Sequence, residues 1–204
     1  LYIDVGAADK AAAEKLANVG DICGFDRPCM DLGDRLVAKS MDDRIGCVVL
    51  IQVLKELGST PHQVSFVFTV QEEVGCRGAI TSAYGVNPDV AIAVDVTGTG
   101  DTPEARTMTM SLGKGPAIKV KDRGMLAHPG LKNLLVSMAK TAGIPYQLEV
   151  LEMGTTDAMA MQMTREGVPA GVISIATRYV HSPSEMVSYA DVANAVRLLG
   201  EVLK

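Results

Sequence analysis

From Arg35 onward, short apolar runs alternate along the chain with longer stretches whose apolar positions recur at helical spacing. The runs "RLVAKS", "QVSFVFTV", "DVAIAVDV", "PAIKV", "YQLEVLE" and "PAGVISIA" have the length of strands. "DDRIGCVVLIQVLKEL" carries the helical spacing and meets a stop signal at Gly58. Further helices are predicted over "LKNLLVSMAKTAG", around "DAMAMQMTREG" and from Ser188 to the end of the chain. The last one opens with "SYAD", a capping-box pattern in which Ser188 caps and Asp191 sits three residues on. Runs that are apolar on both faces imply strands covered by helices on both sides. The expected fold is therefore α/β, a three-layer sandwich with a largely parallel central sheet. Ahead of it, "LYIDVG", "AADKAAAEKLANVG" and "DICGFDR" read as strand, helix and strand, a small unit of its own that ends at the polar turn "MDLGD". The division falls between residues 1–34 and 35–204.

Composition narrows the function. With 48% hydrophobic and 21% charged residues among 204, the chain can bury one sizeable core and is not disordered. A formal net charge of -5 leaves no basic footprint, which disfavours nucleic acid and anionic lipid as partners. No apolar run approaches the length of a membrane span. The N-terminus lacks an initiator Met and a basic flank, so it is not a signal peptide and reads as a chain met in its middle. Cys23, Cys29, Cys47 and Cys76 show no C-x-x-C spacing, which points to a reduced, cytoplasmic protein in which Cys47 and Cys76 are small core residues. The methionines clustered in "MGTTDAMAMQM" are core filler.

The charged residues are placed less evenly. Glu72 and Glu73 follow an apolar run directly, and neighbours on an extended segment point to opposite sides, so each needs its own partner. Asp42 and Asp43 follow the strand "RLVAK", Asp95 lies near the end of "AIAVDV", and His181 follows "GVISIATRYV". Singly these are a solvated turn, a helix N-cap, a turn anchor and a loop histidine. Together they fall at the carboxyl edge of the strands, where open α/β sheets place their functional crevice. Carboxylates crowded there repel one another unless a cation compensates them. Three carboxylates and an imidazole suit Zn²⁺ or its neighbours better than all-oxygen Mg²⁺ or Ca²⁺. If Glu73 turns toward such ions, Glu72 is left free as a general base.

In order and spacing, "SMDDRIGCVVL", "VQEEVGCRGA", "PDVAIAVDVTGTGDTP", "GTTDA" and "TRYVHSPSEM" resemble one group of dinuclear metallo-aminopeptidases. That group contains the bacterial glutamyl aminopeptidases, the deblocking aminopeptidases and the tetrahedral archaeal enzymes, and some members carry an endoglucanase label. The resemblance implies a zinc-peptidase-like fold and two divalent ions, zinc or cobalt. Asp42 would bridge them, with a cis peptide to Asp43. Glu73 and His181 would complete one ion and Asp95 part of the other, while Glu72 would be the catalytic base. A further histidine of the family comes from an upstream "H-x-D" motif that this sequence does not contain. By the same resemblance, residues 1–34 are the remnant of an inserted β-rich dimerisation domain, and 35–204 the C-terminal portion of the catalytic domain. The loop Gly154, Thr155, Thr156 and Asp157 would border the substrate, with Thr155 where the family has Gly. Peptide substrates, no nucleic acid or membrane partner, and a homo-oligomer of between two and twelve subunits are expected. The alternatives are an inactive truncated assembly or binding module and a metal-dependent polysaccharide hydrolase.

Overall fold

Every residue of the run Ala170–Arg178 except the last is buried, and this strand organises the molecule. The computed structural model describes residues 2–204. A single helical turn, α1 (Lys10–Ala13), precedes the strands β1 (Met30–Asp31) and β2 (Arg35–Ala38). Helices α2 (Met41–Glu56) and α3 (Arg77–Val86) follow, then β3 (Ala91–Thr97), β4 (Ala117–Lys121), α4 (Pro129–Thr141) and β5 (Gln147–Val150). The chain closes with α5 (Ala158–Gln162), β6 (Ala170–Arg178), β7 (Glu185–Ser188) and α6 (Tyr189–Leu203). The sheet runs β1-β2-β7-β6-β4-β5, with β3 also paired to β6. It is mixed: β3 with β6 and β4 with β5 are parallel, and the remaining pairs are antiparallel.

The three layers follow from the period-2 geometry of the strands. On β6, Ile173 and Ile175 face a core shared with α2, α4 and α6, while Ala170 and Val172 face a smaller one against α5. β3 divides the same way, Ile92, Val94 and Val96 to the larger core and Ala91 and Ala93 to the smaller. α2 buries Met41, Ile45, Val49 and Val53, a strict four-residue spacing along one face. α4 does the same with Leu131, Leu135 and Ala139.

Four sequence expectations are corrected. The strands over "LYIDVG" and "DICGFDR" are absent among the described residues, Leu1 lying outside them, and the intervening helix stops after one turn. This segment has almost no buried side chain, and a short helix without a packing surface gains too little to propagate. The run "QVSFVFTV" is not a strand: Phe66 packs on the main core, but no neighbouring strand pairs with the run among the described residues. The capping box at Ser188 does not form. Ser188 is the N-cap without a side-chain cap bond, and the Asp191 carboxylate, which would have reached back to the Ser188 N–H, accepts instead from the backbone N–H groups of Gly113 and Gly115, both at 2.7 Å. Helix α3 and strand β7 carry too weak a pattern to be predicted, α3 because only Ala79 and Ala83 are buried in it.

Candidate metal centre

Three turns and the strand β3 deliver the charged side chains to one crevice. After β2, Ser40 takes a left-handed conformation at φ 53 and acts as the N-cap of α2. The next residues depart from the helix, Asp42 at φ -76, ψ 106 and Asp43 at φ -115, ψ 44, and the peptide between them is cis, as the resemblance implied. Asp43 Oδ1 accepts from the Gly46 N–H at 3.1 Å, a capping-type bond that Ser40, the N-cap itself, does not make with its side chain. A Cβ on Gly46 would overlap the Asp43 carboxylate. The second turn runs from Gln71 to Cys76, where the N–H groups of Gly75 and Cys76 both reach the Glu72 carbonyl at 2.9 Å. Gly75 sits at φ 115, which only glycine adopts readily, and the turn leads straight into α3. Asp95 projects from β3 and accepts the Val96 N–H at 2.7 Å. His181, at φ 63, lies in the turn between β6 and β7.

His181 Nε2 lies 3.1 Å from Asp42 Oδ2 and 3.1 Å from Glu73 Oε1. Asp42, Asp43 and Asp95 form a second group, each set holding its ligating atoms within 4.8 Å of one another. Asp42 belongs to both. Glu72 points elsewhere: the Cys76 thiol donates to its Oε1 at 3.4 Å, and the two meet Asp157 in a third group. The adjacent glutamates are thus divided, as their opposite directions along the chain require. In the first two groups, Asp43 is the member that sequence reasoning left without a ligand role. His62 and His128 join none of them among the described residues.

Electrostatics fit the groups to a cation. Burial, then the neighbouring Glu73, pushes the Asp42 carboxyl up to about 6, although His181 opposes the shift. Burial, then Asp95, pushes Asp43 up to about 9, and burial with Asp42 raises Asp95 well above the carboxylate range. Burial also raises Glu72, against the stabilising thiol of Cys76. A divalent cation would relieve this repulsion, and two carboxylates with one imidazole match the three protein ligands of a catalytic zinc site. Beneath Asp95 lies a buried cation, Lys119, whose ammonium donates to Glu149 Oε1 at 2.9 Å. Glu149 also accepts from Thr97 and from Ser174, the residue paired with Asp95 across the β3–β6 ladder.

The crevice is a cavity of about 680 Å³ lined by Asp42, Glu72, Glu73, Asp95 and His181. Gly154 and Thr155 also line it, and Thr155 donates to Asp122 Oδ1 at 3.1 Å. Thr156 and Asp157 do not line it. Thr156 is buried and accepts from the Ala158 N–H, and Asp157 accepts from the Thr69 hydroxyl at 2.5 Å. Outside the cavity lining, Arg178 at the end of β6 grips Asp101 with two hydrogen bonds of 2.9 Å. Burial pushes Asp101 up, but the Arg178 bonds and the Leu112 N–H outweigh it and bring the carboxyl down to about 2. That pair, Lys119 with Glu149, and the buried Glu185 were not found from sequence, since each joins elements far apart in the chain. Glu185 and Arg178 both lie in "TRYVHSPSEM" and Asp101 in "PDVAIAVDVTGTGDTP", the signals that could have drawn attention to them.

The model of the M42 glutamyl aminopeptidase family matches residues 1–198. A putative aminopeptidase of Acetivibrio thermocellus is 50% identical over 203 residues, 100% of this chain and 62% of the relative. The solved aminopeptidase APDkam598 of the archaeon Desulfurococcus kamchatkensis superposes with a TM-score of 0.93 at 47% identity, over 98% of this chain and 58% of the other. The TET1 peptidase of Pyrococcus horikoshii, which can assemble into a tetrahedron or a large octahedral shell, gives 0.82 at 32% identity over 98% and 59%. The chain therefore spans about three fifths of the length of the relatives it matches.

Proposed function

Because the chain belongs to the M42 glutamyl aminopeptidase family, we propose that it carries the cation-binding centre and the proton-transfer group of an aminopeptidase that removes residues from the N-termini of peptides. The observation that carries this reading is the division of the glutamate pair, Glu73 against His181 and Glu72 against Cys76. Asp42, Glu73 and His181 would hold one divalent ion, zinc or cobalt, and Asp42 with Asp95 would hold a second. Ions bound there supply Lewis acidity for the scissile carbonyl and lower the pKa of a water. Glu72, outside the ligand set, accepts a proton from the attacking water and passes it to the leaving amine. Asp43 fixes the displaced start of α2 through the Gly46 N–H. His181 and Glu73 are more than half exposed, so a peptide terminus can reach them from solvent. Gly154 and Thr155 border that terminus, while Thr156 and Asp157 support the loop from behind.

The oligomeric shells formed by the Pyrococcus horikoshii relative support a homo-oligomer here. Val48, Ile51 and Leu54 on the outer side of α2 are exposed, as an interface would need. Four unpaired thiols support a reducing, cytoplasmic setting, and no helix among the described residues is long and apolar enough to cross a membrane. The test is hydrolysis of aminoacyl anilides by the longest polypeptide that carries this sequence. Cleavage of free-amine substrates but not their N-acetyl forms, lost on chelation and regained with Zn²⁺ or Co²⁺, is the expected result. Chelator-resistant cleavage, or cleavage of carboxymethyl cellulose instead of anilides, would count against it.

A further inference from the structure

Glu185 has no part in the mechanism above, yet both of its carboxylate oxygens are committed to the crevice. It is 2% exposed. Oε2 accepts the Asp42 N–H at 3.1 Å, and Oε1 accepts the His181 N–H at 2.7 Å. The strand register explains how one side chain reaches both. Glu185 pairs with Ala38 in the β2–β7 ladder, four residues before Asp42, and His181 precedes it by four residues in the turn from β6. Neither target is held by regular secondary structure, since Asp42 has non-helical angles and His181 is left-handed.

We propose that Glu185 is a positioning residue: its carboxylate ties the backbones of Asp42 and His181 together and so sets the spacing of those two side chains for a divalent cation. The inference rests on the assignment of Asp42 and His181 as ligands. Only an acceptor with two free oxygens can serve. Glutamine offers one carbonyl oxygen and an NH₂ group that would meet the second N–H donor to donor. Burial excludes water as a substitute, so that N–H would stay unpaired. Groups that orient metal ligands from behind act through this kind of contact.

The experiment is a zinc titration of the full chain in competition with a chromophoric chelator, comparing wild type with Glu185→Gln, His181→Ala and Asp191→Asn. Asp191 is the matched control, a buried carboxylate that also accepts two backbone N–H bonds but on the loop before β4. Glu185→Gln is expected to weaken Zn²⁺ binding by about 10- to 100-fold, the scale for loss of a ligand-orienting partner. Asp191→Asn should lower the melting temperature and leave zinc affinity within about twofold, as distant sites act independently. Zinc affinity of folded Glu185→Gln within about twofold of wild type would overturn the proposal. Should Glu185→Gln fail to fold, hydrogen exchange in the wild-type chain decides: protected amides at Asp42 and His181 support it, and unprotected exchange at either overturns it. Zinc binding that survives unchanged in His181→Ala would remove the ligand assignment itself, and with it the reason for a clamp.

Discussion

Stripped of metal, the chain should lose stability as pH rises from about 5 to 7, and zinc should flatten that loss. The perturbation is protonation at the crevice. Asp43 is raised to about 9 and Asp42 to about 6, burial being the larger cause in each and carboxylate neighbours the next. A carboxyl whose folded pKa exceeds its unfolded value binds more protons when folded, so its contribution is complete below the unfolded pKa and is lost as pH climbs toward the folded one. Across pH 5 to 7 Asp43 stays protonated in the folded chain and is ionised in the unfolded chain. Each pH unit then costs about 1.4 kcal/mol, or about 2.7 kcal/mol over the interval, with Asp42 adding to the first half. For a chain of this size that corresponds to a fall in Tm of about 5–10 °C. Asp95 and Glu72, raised in the same direction, act with the same sign. A bound cation ionises the carboxylates in the folded state and removes the proton linkage, while adding its own binding free energy. Differential scanning calorimetry at pH 5, 6 and 7, with chelator or with Zn²⁺, reads both effects. A metal-free Tm that is flat or rises over this interval would refute the reasoning.

Glu72→Gln should keep volume, the thiol contact from Cys76 and zinc content, yet lower kcat by about 100-fold or more, since an amide cannot take the proton. Steady-state kinetics on zinc-loaded enzyme of measured metal content checks this, and near-normal kcat would remove Glu72 from the mechanism. The chain itself should retain about one tight equivalent of Zn²⁺ after desalting, because Asp42, Glu73 and His181 give three ligands and the second group contains no histidine among the described residues. Two tight equivalents by elemental analysis would show that Asp43 completes the second ion.

The clustering of the candidate residues was more legible in the sequence than the elements that carry them. Asp42, Glu73, Asp95 and His181 could be placed at one edge because each follows a strand-like run, and the crevice position depends only on which end of a strand a residue follows. Residues 64–70 form no ladder, yet Glu73 after them lies beside His181, 3.1 Å away. The N-terminal strands were misread because apolar alternation reports a face to bury and says nothing of what will cover it. Asp191 shows the same limit at a helix start: capping chemistry is local, but Gly113 and Gly115 lie over seventy residues away and win the carboxylate. Glu185 and Lys119 were invisible for the same reason, their contacts fixed by register across the sheet.

The most direct measurement of the central claim is the X-ray absorption spectrum of the zinc-loaded chain at the zinc edge. Expected are oxygen and nitrogen neighbours at about 2.0–2.2 Å with the outer scattering of one imidazole, and loss of that imidazole signal in His181→Ala. A sulfur neighbour at about 2.3 Å would place the ion instead with Glu72, Cys76 and Asp157, and would contradict both the ligand set and the role of Glu72 as a free base.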